Sequence, residues 1–253
     1  MNELTVVQNF DIAAASGVDQ LMHDLREELG ADYRPDFAFA KTPSQGMTAW
    51  QIKTSDEDED PEIAKTIEGV ILYSHKNFAW WREGLDDGDG NNQPDCRSND
   101  GVTGYDVNGN ACDCLTCPRN QFGSDGAGKA CKNGRRIYLL RPGDCLPIRI
   151  DLAPTGNKPY EKYVDGLLLP RKRGQRPLRT TQVLTRIGLK IATNSGGIKY
   201  SVPTFECVGL VPDEARASLL ACAESIREAA NSAFIPVSDS QIPAEFVSTP
   251  GEA

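Results

Sequence analysis

Cys96-Arg-Ser-Asn-Asp-Gly101, then Cys112-Asp-Cys114-Leu-Thr-Cys117-Pro118, then Gly128-Lys-Ala-Cys131 mark the stretch around which this chain of 253 residues is organised. It holds five of the eight cysteines. Cys114 and Cys117 form a Cys-x2-Cys knuckle that can turn two thiolates onto one ion, flanked by Cys96 and Cys131 with seventeen and thirteen intervening residues. Four thiolates close a tetrahedral zinc site. The residues between are rich in Gly, Asn and Asp and have little to bury, so a metal is the expected source of their order. Cys112 is a fifth candidate, and it replaces Cys96 if the long loop folds differently.

Other uses of these cysteines fit less well. A disulfide framework needs an oxidising compartment, and the N-terminal residues have neither the basic start nor the apolar run of a secretory signal. A redox knuckle would open a helix after a strand, whereas Pro118 and the glycines beyond it favour a loop. Cys145, Cys207 and Cys222 read as small buried apolar side chains. Gly123 to Lys129 imitates a phosphate-binding loop, but Ala130 stands where a hydroxyl must hold magnesium.

Charge is spread unevenly. The formal net charge is −9, yet residues 1–131 carry 10 basic and 24 acidic side chains while residues 132–190 carry 14 basic and 4 acidic. Such asymmetry marks one anion-facing surface in an acidic protein. No apolar run approaches the ~20 residues that would span a membrane.

The chain opens with an amphipathic helix over Val18–Leu29. Strand-like segments at Met47–Lys53 and Ile67–His75 are separated by the acidic run Asp56–Asp60, which reads as a solvated hairpin loop. The second strand runs into Tyr73, Phe78, Trp80 and Trp81, interleaved with Lys76 and Arg82. Alternation turns Trp80 and Trp81 opposite ways, one as a platform and one, Trp81, into the core. Strands follow at Arg135–Leu140 and Leu146–Leu152, a helix at Tyr160–Leu169, and a hairpin of Gln182–Thr193 with Tyr200–Val211. A closing helix over Pro212–Ser232 has Leu219, Leu220, Ala223, Ile226 and Ala230 on its core face. The expected fold is mainly β: an OB-like Greek-key barrel with an inserted zinc-binding loop and flanking helices. The predicted boundaries are a single OB-like domain over 1–235, the insertion at about 84–134, and a flexible tail over 236–253.

Several of these segments resemble a known family. Cys96-Arg-Ser-Asn-Asp-Gly101, Cys114-Leu-Thr-Cys117-Pro-Arg-Asn-Gln-Phe-Gly-Ser124, Gly128-Lys-Ala-Cys131-Lys-Asn-Gly-Arg-Arg-Ile-Tyr-Leu-Leu140, Leu184-Thr-Arg-Ile-Gly-Leu-Lys190 and Tyr200-Ser201 look like bacteriophage and mobile-element proteins regarded as single-stranded DNA-binding. The likeness runs from about Glu68 to Val211 and is most specific around the cysteines. It implies an OB-like barrel with a zinc loop held by Cys96, Cys114, Cys117 and Cys131, with Cys112 departing from the pattern. It also implies a non-catalytic role in DNA replication or recombination beside other such proteins, in the cytoplasm of a bacterial host cell.

The residues point the same way on physical grounds. A sequence-tolerant single-strand binder needs aromatic platforms beside cations. Tyr73, Phe78, Trp80, Trp81 and Tyr138 are the candidate platforms. Lys132, Arg135, Arg136, Arg171, Lys172, Arg173, Arg176, Arg179 and Arg186 are the candidate phosphate contacts. A duplex reader would want a basic recognition helix, which the Pro and Gly of residues 171–179 would break. RNA remains an alternative ligand, because nothing here reads a 2′-hydroxyl. A zinc-containing protein-binding module is the second class. A zinc enzyme needs an open coordination position and a general base, which four thiolates and two histidines do not offer.

Overall fold

The computed structural model describes residues 12–30, 33, 36–55, 58–82, 94–169, 176–194 and 196–232. Arg171, Lys172 and Arg173, the first residues of the expected insertion, and the expected tail lie outside them. In chain order the elements are α1 (Ile12–Leu29), β1 (Phe39–Lys41), β2 (Trp50–Lys53), β3 (Glu62–Ala64), β4 (Thr66–Trp80), β5 (Cys96–Ser98), β6 (Thr103–Asp106), β7 (Ala111–Asp113), β8 (Lys132–Leu140), β9 (Ile148–Leu152), α2 (Asn157–Leu168), β10 (Val183–Thr193), β11 (Lys199–Leu210) and α3 (Arg216–Ser232). The protein is mainly β, and its strands form one open mixed sheet.

β4 is the strand on which the sheet turns. Its first residues, Thr66–Gly69, pair with β10, Val70–Ala79 pair with β8, and Phe78–Trp80 pair with β5. At the change of partner stands Gly69, where a Cβ would lie 2.4 Å from both the Leu140 carbonyl oxygen and a Leu139 methyl. No larger residue fits that crossing. On one side the order continues β8, β9, β1, β2, β3, and on the other β5, β6, β7. Every pairing is antiparallel except β1 with β9, where Phe39–Lys41 run alongside Arg149–Asp151. Among the described residues β11 pairs with β10 alone, so the sheet stays open. Pro203 is tolerated in β11 because an edge strand need not donate on its outer side.

Both faces of β4 and β8 are apolar, and each is covered. One face packs Val70, Leu72, Tyr138 and Leu140 against Leu219, Cys222 and Ile226 of α3, with α1 resting on α3. The other packs Ile71, Ile137, Leu139 and Ile150 with Trp50, Ile187 and Tyr160 of α2. Trp50 is fully buried, and its indole N–H donates to the Ile187 carbonyl at 3.3 Å, tying β2 to β10.

Several expectations are revised. α1 begins six residues before Val18. The acidic run leads into β3, an unforeseen strand antiparallel to β2, and Asp58 accepts hydrogen bonds from the backbone N–H and hydroxyl of Thr54. α2 starts at Asn157, because Pro159 sits in its first turn, where a missing N–H costs nothing. On α3 Leu220 is exposed, and Cys222 takes the core position. Cys145 is exposed and Cys207 only half-buried, so neither fills a core. No helix among the described residues is long and apolar enough to cross a membrane.

Trp50→Ala should remove about 3–5 kcal/mol of stability, read as a lowered urea midpoint at unchanged slope. Trp80→Ala, at a half-exposed site, should shift that midpoint far less.

Candidate functional site

The thiols come together through short-range geometry. β5, β6 and β7 form a small meander on the edge of β4, with Cys96 opposite both Trp80 and Asp106, and Cys112 opposite Gly104. The knuckle is shaped by Asp113, whose carboxylate accepts from the Leu115 N–H at 2.8 Å and the Thr116 hydroxyl at 2.9 Å. Cys117 precedes a single 3-10 turn, Pro118–Asn120. The buried Asn120 then ties the loop together. Its amide donates to the Cys114 carbonyl at 2.6 Å, and its oxygen accepts from Lys129 at 3.2 Å and Asn133 at 2.8 Å. The Cys131 N–H donates to the Arg119 carbonyl at 2.9 Å.

Gly104 marks the point of convergence. A Cβ there would stand 2.9 Å from the Cys112 sulfur and 3.2 Å from those of Cys114 and Cys96. Cys96 and Cys112 are 3.6 Å apart, sulfur to sulfur. Burial, reinforced by Cys112, pushes the Cys96 thiol up to about 12. Burial, with the neighbouring Cys114 and Cys117, pushes Cys131 up to about 11. At Cys96, Cys114 and Cys131 burial and the neighbouring thiols oppose ionisation, as expected of sites that hold their protons until a cation takes their place. As placed, no three His, Cys, Asp or Glu among the described residues stand in metal-ligating geometry. Each of the five thiols is within electrostatic reach of at least two others, which is a looser condition. Their type suits zinc, and Cys112, left as a spare by the sequence, belongs to the cluster.

The aromatic residues divide sharply. Trp80 is half-exposed at the end of β4, with the Arg119 guanidinium 3.6 Å from its ring centroid. Trp81 is also only half-buried, so it is not the core tryptophan; Trp50 is. Phe78 and Tyr138 are buried, at 8% and 4% exposure, and neither offers a free face. Tyr138 packs instead between Phe37 and Tyr73, at centroid distances of 5.5 and 6.2 Å. Tyr73 is half-exposed, and its hydroxyl donates to Asn231.

Many of the expected cations are occupied internally. Arg136 lies directly across from Asp151 and donates to both carboxylate oxygens, at 2.7 and 3.3 Å. Arg186 sits between its two cross-strand neighbours, Glu68 at 2.6 Å and Glu206 at 3.0 Å. Lys132 pairs with Asp125 at 3.0 Å, and Arg135 lies over the Tyr160 ring near Glu161. Arg176 and Arg179 are exposed. Sequence reasoning passed over a second set on the cysteine loop: Arg119, Lys129 and Phe122. Phe122 is 82% exposed, with the Lys129 ammonium 5.0 Å from its ring centroid. The signal was an aromatic between two cations inside the knuckle segment, obscured by reading that segment for ligands alone.

Comparison of the chain with protein-family models, curated proteins and solved structures gave no match.

Asn120→Ala would leave the Cys114 carbonyl buried without its donor. It should weaken the cysteine loop by about 1–3 kcal/mol. Hydrogen exchange should show this as faster exchange of loop amides, with protection in β8 and β9 retained.

Proposed function

We propose that this is a non-catalytic single-stranded DNA-binding protein of phage or mobile-element replication and recombination, working in the cytoplasm of a bacterial host. The observation that carries the reading is the half-exposed Trp80 with Arg119 stacked on it, on the same loop as the bare Phe122–Lys129 pair. Two aromatic and cation pairs that draw on one loop of an acidic protein are what a sequence-tolerant strand binder requires. Stacking and charge then act together on a strand that presents bases and phosphates at once.

The connectivity supports an OB-like barrel. β4, β8, β9, β10 and β11 supply five strands, and the first pairs with both the second and the fourth. The cysteine loop falls between the first and second of these, one of the two connections with which such barrels contact oligonucleotides. β1 to β3 occupy the side where β9 would otherwise meet β11. Zinc in the loop would be structural. Cys96, Cys114, Cys117 and Cys131 would hold it, with Cys112 beside Cys96 as the alternative ligand, and it would supply order to a segment with little apolar core. The exposed Val107 and Leu115 on the same loop favour a second reading, a protein-binding zinc module.

Titration of labelled oligothymidine, duplex and RNA separates these readings. Single strands should bind best. Trp80→Ala and Phe122→Ala should each cost about 1–3 kcal/mol of binding. Arg176→Ala with Arg179→Ala should flatten the salt slope by up to about 0.7 per lost phosphate contact. Equal affinity of wild type and both aromatic variants would overturn stacking as the mode of binding. Absence of any strand binding would favour the protein-binding module.

Metal analysis of the native protein should find one zinc per chain. Gly104→Ala, which drives a methyl among three sulfurs, should lower that content, while Cys145→Ser should leave it unchanged. Native protein free of zinc would overturn the metal assignment.

A further inference from the structure

Where β4, the Asn99–Tyr105 segment and the last turn of α3 meet, the surface forms an open pocket of about 520 Å³. Tyr73 and Tyr105 give it aromatic walls, and Lys76 and Arg135 also line it. His75 lines it too and is only 7% exposed. Its Nδ1 lies 2.7 Å from the Lys76 carbonyl oxygen. A carbonyl can only accept, so in the neutral ring Nδ1 carries the proton and Nε2 presents a lone pair. Nε2 is buried and has no donor among the described residues, since the Asn99 carbonyl that also faces the ring is itself an acceptor. Burial holds the ring below the ordinary histidine pKa, against the Lys76 and Asn99 carbonyls, which favour protonation. Asp100, whose Oδ1 already accepts from Ser98, Val102 and Thr103, adds a carboxylate to the same lining.

A buried acceptor with no donor is costly, and it is relieved by a ligand that brings one. The complementary ligand is flat, carries N–H donors on one edge and bears negative charge within reach of the lining Lys76 and Arg135, the second already beside Glu161. A metal ion is disfavoured by those two cations. We propose that the cavity takes one unstacked base of the bound single strand and prefers a base with an exocyclic amino group. Cytosine, adenine and guanine offer that donor to Nε2. Thymine offers only N3–H, between two carbonyl oxygens that would face the histidine lone pair and the carboxylate. The proposal rests on the single-strand reading and adds a base preference to an otherwise tolerant surface.

The test uses the full-length protein and fluorescence anisotropy with a labelled oligothymidine tract. The same tract is measured with one central thymine replaced by cytosine, by N4,N4-dimethylcytosine or by an abasic site. The cytosine tract should bind about tenfold tighter than all-thymine. The dimethyl and abasic tracts should lose that gain, and His75→Leu should abolish the difference while still binding the all-thymine tract. The ligand series needs no variant, so a poorly folding His75→Leu does not weaken it. Equal binding of the cytosine and thymine tracts would overturn the cavity assignment and leave the strand-binding reading standing. No binding of any tract would overturn that reading and the cavity assignment together.

Discussion

The fold depends on one strand serving three ladders. β4 can hand over from β10 to β8 because Gly69 lets the backbone of Leu140 approach where a side chain would collide. From that crossing follow the two apolar faces, one sealed by α3 and the other by β2 and α2. Its far end carries Trp80 out to the cysteine loop, so core and candidate binding surface share a continuous backbone. A ladder has little give along its length, and the position of Trp80 is therefore set by packing well away from it.

Electrostatics in this protein are largely settled within the sheet. The basic segment looked in sequence like one uncommitted surface, but strand register places Asp151 opposite Arg136 and places Glu68 and Glu206 on either side of Arg186. Cross-strand pairs of opposite charge favour one register and penalise a slip that would set like charges face to face. These arginines thus help specify the sheet. Under the proposed function, contact with an anionic ligand falls to Arg135, to cations at the end of β4 and on the loop, and to Arg176 and Arg179.

The long strands, the β10–β11 hairpin and α3 were legible because their apolar periodicity is strong over ten or more residues. Trp50 was legible too, since Trp50-Gln51-Ile52-Lys53 alternates buried and outward, but the paired tryptophans at the end of β4 drew the reading away from it. The parallel pairing of β1 with β9 was not, because partners a hundred residues apart leave no local trace. Nor was the β5–β7 meander, whose Gly, Asn and Asp content hides strands held by turns and not by an apolar face. The cysteine spacing gave the cluster's membership in outline. The place of Cys112 needed Gly104 opposite it, a fact of register that no spacing rule contains.

Ala79 and Lys132 are direct partners on the β4–β8 ladder, so the chain departs and returns at a single rung. In topological terms the whole of residues 80–131 is a hairpin connection. Lengthening such a connection raises the entropic cost of closure only logarithmically. The segment is therefore a module: a lineage could enlarge it, trim it or exchange it for a tight turn without disturbing the register of the strands beneath. The part of the molecule proposed to meet a ligand can change by insertion and deletion while the scaffold changes only by substitution.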